Sequence, residues 1–470
     1  AIFAESARAK NDGVIKLGES STGIYGIYKD GTDKYAPAAV NKLEIETTAN
    51  SDISLGKNST GMYLINAQKL TNAAGGKIES ATGATNNVGI YAINGSVDKG
   101  STKDNTAYNK VQNYKTLNMI TATNIILGNG SVGLYSKGQS TSTKNIVTNT
   151  GNITVGKEIV ENVNTPNEKK YPAVAMYAEN TKLDTNSTAI VGENGLVFYG
   201  KNSDIIGKGT ANFNNKGTLA YLDKSNFTAY YGDLTANQKT MLFVKDSIAT
   251  LNGLGPKIDI TVNDKLVATK DAFAGVYVEG TSQLNGVKKI KVGENSNGIF
   301  LKDAIFTSNV DDIISTKEGA KGLLAINSNL TNDSKITLSG NKSIGIYSDA
   351  NNTKTVTNNG KLTLSGKQTL GVFLKGGQTF VNNANINIAD TTSTVPAEKT
   401  VGIYTKDGTS TIKHNSGNIE VGHKSIGIYS TTNSGVEMNG GKIHVKDEAI
   451  GFYKQNGTLL LKGQINVDSH

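Results

Sequence analysis

One phrase recurs along the chain and restricts its fold more than any other feature. It reads Gly-x-x-Ser/Thr-x-Gly-apolar-aromatic, and it appears as "LGESSTGIY" from Leu17, "LGKNSTGMY" from Leu55, "LGNGSVGLY" from Leu127, "VGENSNGIF" from Val292, "SGNKSIGIY" from Ser339, "SGKQTLGVF" and "VGHKSIGIY". Its aromatic residue keeps returning, at Tyr177, Tyr199, Tyr221, Phe243, Tyr277, Phe300, Tyr347, Phe373, Tyr404, Tyr429 and Tyr453. The intervals cluster at roughly 22–26 residues, and a fixed period in that range signals a solenoid or propeller.

Each period holds three short segments of strand character bounded by Gly, Asn or Ser, and no amphipathic helical run. In the first, such as "NIEV", "NITV", "KITL" or "KLTL", the apolar residues alternate with polar ones: Ile419 and Val421, Ile153 and Val155, Ile336 and Leu338, Leu362 and Leu364. The second is the "SIGIYS" type. There the residues flanking the glycine, Ile344 and Ile346 or Ile426 and Ile428, are expected to face inward, and the glycine and the ring outward. The third, "TVTNNG" or "FVNNAN", runs into an Asn at 149, 215, 332, 358, 382, 415 and 439. Asn tolerates left-handed backbone and suits a corner, and stacked copies would form an amide ladder.

Three strands and three corners in about 23 residues describe one coil of an all-β, right-handed parallel β-helix. A propeller blade needs roughly 40 residues and hairpins, and a leucine-rich repeat needs its own consensus. About 16–18 coils at a spacing of about 4.8 Å would make a rod on the order of 80 Å long. Unbroken periodicity favours one elongated domain over residues 1–470, although 470 residues would more often be two globular ones. A hydrophobic content of 37% suits a fold with a thin core, in which half of each strand faces out.

With no cysteine, a disulfide framework and a thiolate metal site are both excluded. The net charge of +8 is carried almost wholly by lysine, Arg8 being the one arginine, and no basic cluster interleaves with aromatics. That composition argues against nucleic acid as a partner. No apolar run is long enough to span a membrane as a helix, and the opening "AIFAESARAK" lacks the character of a signal peptide, so the sequence reads as an internal piece if the parent is secreted.

The series "SIGIYS", "SVGLYSKG", "VGIYTKDG" and "KLTLSG", set among Asn-Gly corners and Lys-rich turns, resembles the passenger repeats of large fusobacterial type V autotransporter adhesins. The resemblance spans most of the chain. It implies a monomeric β-helical passenger, displayed outside the cell at the bacterial outer membrane and joined to the membrane only through a C-terminal β-barrel absent from these residues. It further implies attachment to a surface protein or glycan of another bacterium or a host cell, with no cofactor.

The repeats build the scaffold, so a ligand site is sought first in the insertions, at about 29–50, 92–119, 157–172, 263–274 and 390–399. Three of them, "KEIVENVNTPNEKKYP", "NDKLVATKDAFA" and "DTTSTVPAEK", fall between the first and second strands and should project from one edge. Tolerated surface variation is the plainer reading of any one loop. Tyr108 and Tyr114 in the second insertion, and Lys169, Lys170 and Tyr171 in the third, are candidate ligand contacts, because tyrosine beside lysine can stack on a sugar or anchor a protein. Strand alternation also predicts an exposed aromatic ladder of Tyr347, Phe373, Tyr404, Tyr429 and Tyr453, which either stiffens the sheet or offers an apolar strip to a ligand.

Catalytic residues are not expected. Asp311 and Asp312 are adjacent on a strand and point to opposite faces, and no nucleophile elbow, phosphate loop or calcium repeat appears. The histidines, His414, His423, His444 and His470, lack close metal-ligand spacing and are read as surface residues. A non-enzymatic adhesin segment is therefore the leading expectation, with a β-helical polysaccharide-processing enzyme and a pure structural spacer as alternatives.

Overall fold

The computed structural model describes residues 1–28, 42–94, 116–163, 165, 168–213, 216–251, 255–266, 273–351, 353–391, 399–431 and 433–468. None of these is helical. They form short strands whose neighbours in the sheet are the same strand of the next coil, paired in parallel, and the fold is a parallel β-helix. Among the described residues the second strand occurs eight times in one compact unit, Ala1–Tyr231, and nine times in a second, Gly232–His470, where one copy carries Leu324 in place of a ring.

The core follows from alternation. Ile153, Val155, Ile336, Leu338, Leu362, Leu364, Ile419 and Val421 on first strands are all buried, while the residues between them face solvent at least in part. Successive coils stack like on like: Ile336 lies opposite Leu362, and Leu362 opposite Ile386. Burying these methyl-bearing columns contributes roughly 25 cal/mol per Å² of apolar surface.

The second strand departs from the expected alternation at its glycine. Ile346 is fully buried and Tyr347 half-exposed as expected, but Ile344 is half-exposed and Gly345 is buried. The pairing of Ile344 with Leu370 and Ile346 with Val372 skips the glycine. A Cβ on Gly345 would lie 2.6 Å from the carbonyl oxygen of Gly371 on the next coil and 3.7 Å from Ile336 Cγ2. The backbone is therefore pinched toward the core, and each glycine is needed because the neighbouring carbonyl fills the space of a side chain. The same contact recurs from Gly23 to Gly61 at 2.7 Å and from Gly402 to Gly427 at 2.6 Å. In the first unit the column then changes to Ala175, Val197 and Leu219, each fully buried.

The corner between first and second strands is built by the recurring phrase. Its third position adopts positive φ, 58° at Asn58, 53° at Lys342, 56° at Gln368 and 57° at Lys424. Its Ser/Thr hydroxyl donates to a carbonyl of the preceding coil, as from Ser343 to Lys317 O at 2.9 Å and from Thr369 to Gly340 O at 3.1 Å. The third-strand asparagines behave otherwise than expected: Asn149, Asn332, Asn358 and Asn382 do not take positive φ, and they are fully buried.

Candidate binding surface

The rings of the second strands stand in columns on the outer face, because the inward apolar residue before each ring, such as Ile24, Met62 or Phe198, fixes the next residue outward. In the first unit Phe3, Tyr25, Tyr63, Tyr91, Tyr135, Tyr177, Tyr199 and Tyr221 stack with interplanar angles of 1–13° and centroids 4.4–5.5 Å apart. The Tyr177 hydroxyl donates to Glu179 Oε2 at 3.2 Å. Glu179 is only 9% exposed, and its charge is balanced by Lys137 at 3.6 Å and Lys201 at 3.4 Å on the coils either side. Desolvation first, then neighbouring phenols and Glu179, push Tyr135 and Tyr177 well above the ordinary phenol range.

In the second unit the column contains Phe243, Tyr277 and Phe300, is interrupted by Leu324, and resumes with Tyr347, Phe373, Tyr404, Tyr429 and Tyr453. Here the rings are canted. Tyr347 and Phe373 meet at 56°, Phe373 and Tyr404 at 31°, Tyr404 and Tyr429 at 61°, and only Tyr429 and Tyr453 stack, at 11°. The first four are half-exposed and Tyr453 is 42% exposed. Offset-stacked and tilted ring pairs are both favourable arrangements, and Phe3 stacks on Tyr25 at 10°, so the presence of phenylalanine does not by itself cant the column. Tyr404 and Tyr429, two tyrosines, meet at 61°, so ring identity does not set the tilt.

The insertions sort onto two corners. Residues 29–41 and 95–115 connect second to third strands, whereas those near 157–172, 263–274 and 390–399 connect first to second strands. Tyr108 and Tyr114 lie outside the described residues. Lys169, Lys170 and Tyr171 form one strand of a small antiparallel hairpin with Ile159–Glu161. The Tyr171 hydroxyl donates to Glu161 at 3.3 Å, Lys170 pairs with Glu168 at 3.2 Å, and both lysines point to solvent. The hairpin rests on the corner at Gly130, where a Cβ would meet Tyr171 Cβ at 3.0 Å and Ile159 Cδ1 at 3.1 Å. In chain order the two candidate groups thus fall at different corners.

The buried polar ladder is a site that sequence reading only partly found. Asn332 donates to Asn358 at 2.8 Å, Asn358 to Asn382 at 2.7 Å, and Asn382 meets His414 Nδ1 at 2.9 Å. Asn415 and Asn439 stand one residue later, in a second and exposed ladder with Asn383 and Asn359. Asn215 lies outside the described residues. His414, read from sequence as a surface residue, is fully buried, and desolvation lowers its pKa.

The remaining titratable groups mostly pair across coils. Lys375 meets Asp349 at 2.9 Å, Lys208 meets Asp184 at 3.0 Å, Asp311 is bound by Lys257 and Asp312 by Lys335. His444 is held between Glu420 at 2.8 Å and Asp468 at 2.7 Å, and these hydrogen bonds raise its pKa. Stacking also places His423, Asp447 and Glu448 within 4.8 Å of one another, a ligand spacing of one coil that a search for close sequence spacing misses. Lys424 already lies 3.5 Å from Glu448 there. An open cleft of about 550 Å³ borders Gln238, Asp264, Lys291 and Lys317, but its lysines are engaged by Asp259 and Asp264. No family model, curated protein or solved structure matches the chain.

Proposed function

We propose that this chain is a non-enzymatic segment of a bacterial surface adhesin, a β-helical scaffold that holds side-chain ladders and corner loops toward a surface protein or glycan of another cell. The observation that carries the reading is the external column of rings, repeated coil after coil in both units. A regular exposed aromatic column suits contact along an extended surface. Acid–base catalysis needs two groups converging on one reacting bond. Asp311 and Asp312, the carboxylate pair weighed from the sequence, each pair with a different lysine, Lys257 and Lys335. Display at the outer membrane follows from the resemblance to autotransporter passengers and belongs to the same proposal.

The test exposes the purified chain to intact bacterial and host cells, and separately to polysaccharides with a reducing-end assay. Attachment without turnover is the expected result. Release of reducing ends would replace the adhesin by an enzyme, and absence of both would leave a spacer. Deleting the 92–119 insertion in the same assay asks whether that loop, or the scaffold, carries attachment.

A further inference from the structure

We infer that the canted part of the second unit's column, from Tyr347 to Tyr429, is a binding strip for an uncharged linear polysaccharide lying parallel to the direction in which the coils stack. This rests on the adhesin reading and names the ligand class and the coils that take it.

The comparison between the two columns carries the argument. A sugar packs its C–H face on the face of an aromatic ring, where the negative quadrupole lies. In the first unit those faces are covered by the adjacent rings, at 4.4–4.5 Å and within 13° of parallel from Tyr91 to Tyr199, so only ring edges and hydroxyls remain for a partner. In the second unit, angles of 56°, 31° and 61° at spacings of 5.1–5.2 Å leave part of each face uncovered.

The surroundings select a polymer chain. On one side of the rings stand the half-exposed Ile344 and Leu370, in register, and their column continues into the buried Val401 and Ile426. On the other side stand Asp349, Lys375 and Lys406, a polar rim that can accept from and donate to hydroxyls. The apolar strip is thus narrow, bounded by charge, and several coils long. A stable protein interface buries about 800 Å² on each partner with a broad apolar centre. A strip one ring wide matches a linear chain better, and it repeats at 5.1–5.2 Å, the scale of one sugar unit. Asp349 and Lys375 offset each other at 2.9 Å and only Lys406 adds net charge to these three, so the rim offers a charged polymer no repeating array of one sign. Leu324 ends the strip on one side, and the stacked pair Tyr429 and Tyr453 ends it on the other.

The chain has no tryptophan, so its tyrosines report binding directly by fluorescence. Linear oligomers of β-linked glucose, mannose and galactose of increasing length are titrated by calorimetry and tyrosine fluorescence. The expected result is affinity for at least one series that rises with length and then levels off once the strip is spanned. Phe373→Ala and Tyr404→Ala should each weaken it about tenfold or more, while Tyr135→Ala in the first unit leaves it unchanged. Leu324→Tyr should extend the range of lengths over which affinity grows. Hydrogen exchange on each variant shows whether its coils remain folded, and a conservative Phe373→Tyr that restores affinity separates a ring contact from a packing defect. Equal loss from Tyr135→Ala overturns the assignment. If no oligomer binds while attachment to cells persists, the polysaccharide strip is wrong and the adhesin reading stands; loss of both removes the adhesin reading too.

Discussion

The two units carry the same three-strand coil but straighten different corners. In the first, Thr181–Val191 runs through what is elsewhere the corner between third and first strands, with strictly alternating burial, so those two strands share one sheet. Thr185 and Ser187 face inward there, 2.8 Å apart, and both accept from Asn149 on the neighbouring coil, so small hydroxyl residues fill the interior without a turn. In the second, Asn297–Ser308 runs through the corner between second and third strands. That corner is reduced to a bulge at Asp303, with φ of 50°, beside a register shift between Glu279 and Gly280. Asp303 thus keeps the left-handed residue that marks this corner at Asn180, Asn202 and Asn327, whereas Thr181–Val191 contains none and holds its alternation throughout. The ladders differ in the same spirit: one phrase gives parallel rings in one unit and canted rings in the other.

The largest effect tests whether coils outside the mutated region notice a defect. Ile346→Asp, in the second unit, buries an unpaired charge and should cost several kcal/mol. Hydrogen exchange should rise in the coils around 346, with protection in Ala1–Tyr231 nearly unchanged, because coils contact only their neighbours. A uniform rise through all coils would contradict the solenoid.

The column occupied by glycine in most coils and by Leu219 in one gives the next contrast. Leu219→Ala should destabilise the first unit by about 2–5 kcal/mol through a cavity. Gly345→Ala should destabilise the second by about 1–3 kcal/mol for the opposite reason, overpacking against Gly371 O. Denaturant titrations of the two variants check the pair, and a neutral Gly345→Ala would mean that the coils separate at little cost.

The inner and outer amide ladders should differ in turn. Asn358→Ala leaves partners on both Asn332 and Asn382 unsatisfied in the core and should cost about 1–3 kcal/mol. Asn415→Ala, on the exposed ladder, should stay within about 0.5 kcal/mol.

The smallest effect is a dependence on pH found only in the second unit's inner ladder. Burial lowers the pKa of His414 below the ordinary value, so the unfolded chain binds the extra proton first. The neutral side chain then favours folding above about pH 6.5, and that contribution is lost as pH falls through and below this value. Exchange at the backbone amides around 411–414 should accelerate between neutral pH and about pH 5, and His414→Asn, which continues the amide ladder, should remove the dependence. His444 runs the other way, since its pKa is raised and its contribution fades as pH climbs, so the two are separable by the sign of the slope.

The period and the alternation in the first strands were legible in the residues. They are properties of a chain that repeats itself at a fixed interval and buries one face of each strand. That the ring stands outside follows from the same alternation, counted from the inward apolar residue immediately before it. Three things were decided only when the coils stacked. The glycine turned inward because the limiting contact is a carbonyl on the next coil, which no single repeat contains. Asn382 and Asn415 parted into inner and outer ladders because a one-residue offset at a strand's end changes which side faces the core. His423 came beside Asp447 and Glu448, and Glu179 between two lysines, because residues one coil apart in sequence are neighbours in space. The tilt of the rings also belongs to this level: alternation fixes the face on which a ring stands, while its orientation is a compromise with the rings above and below.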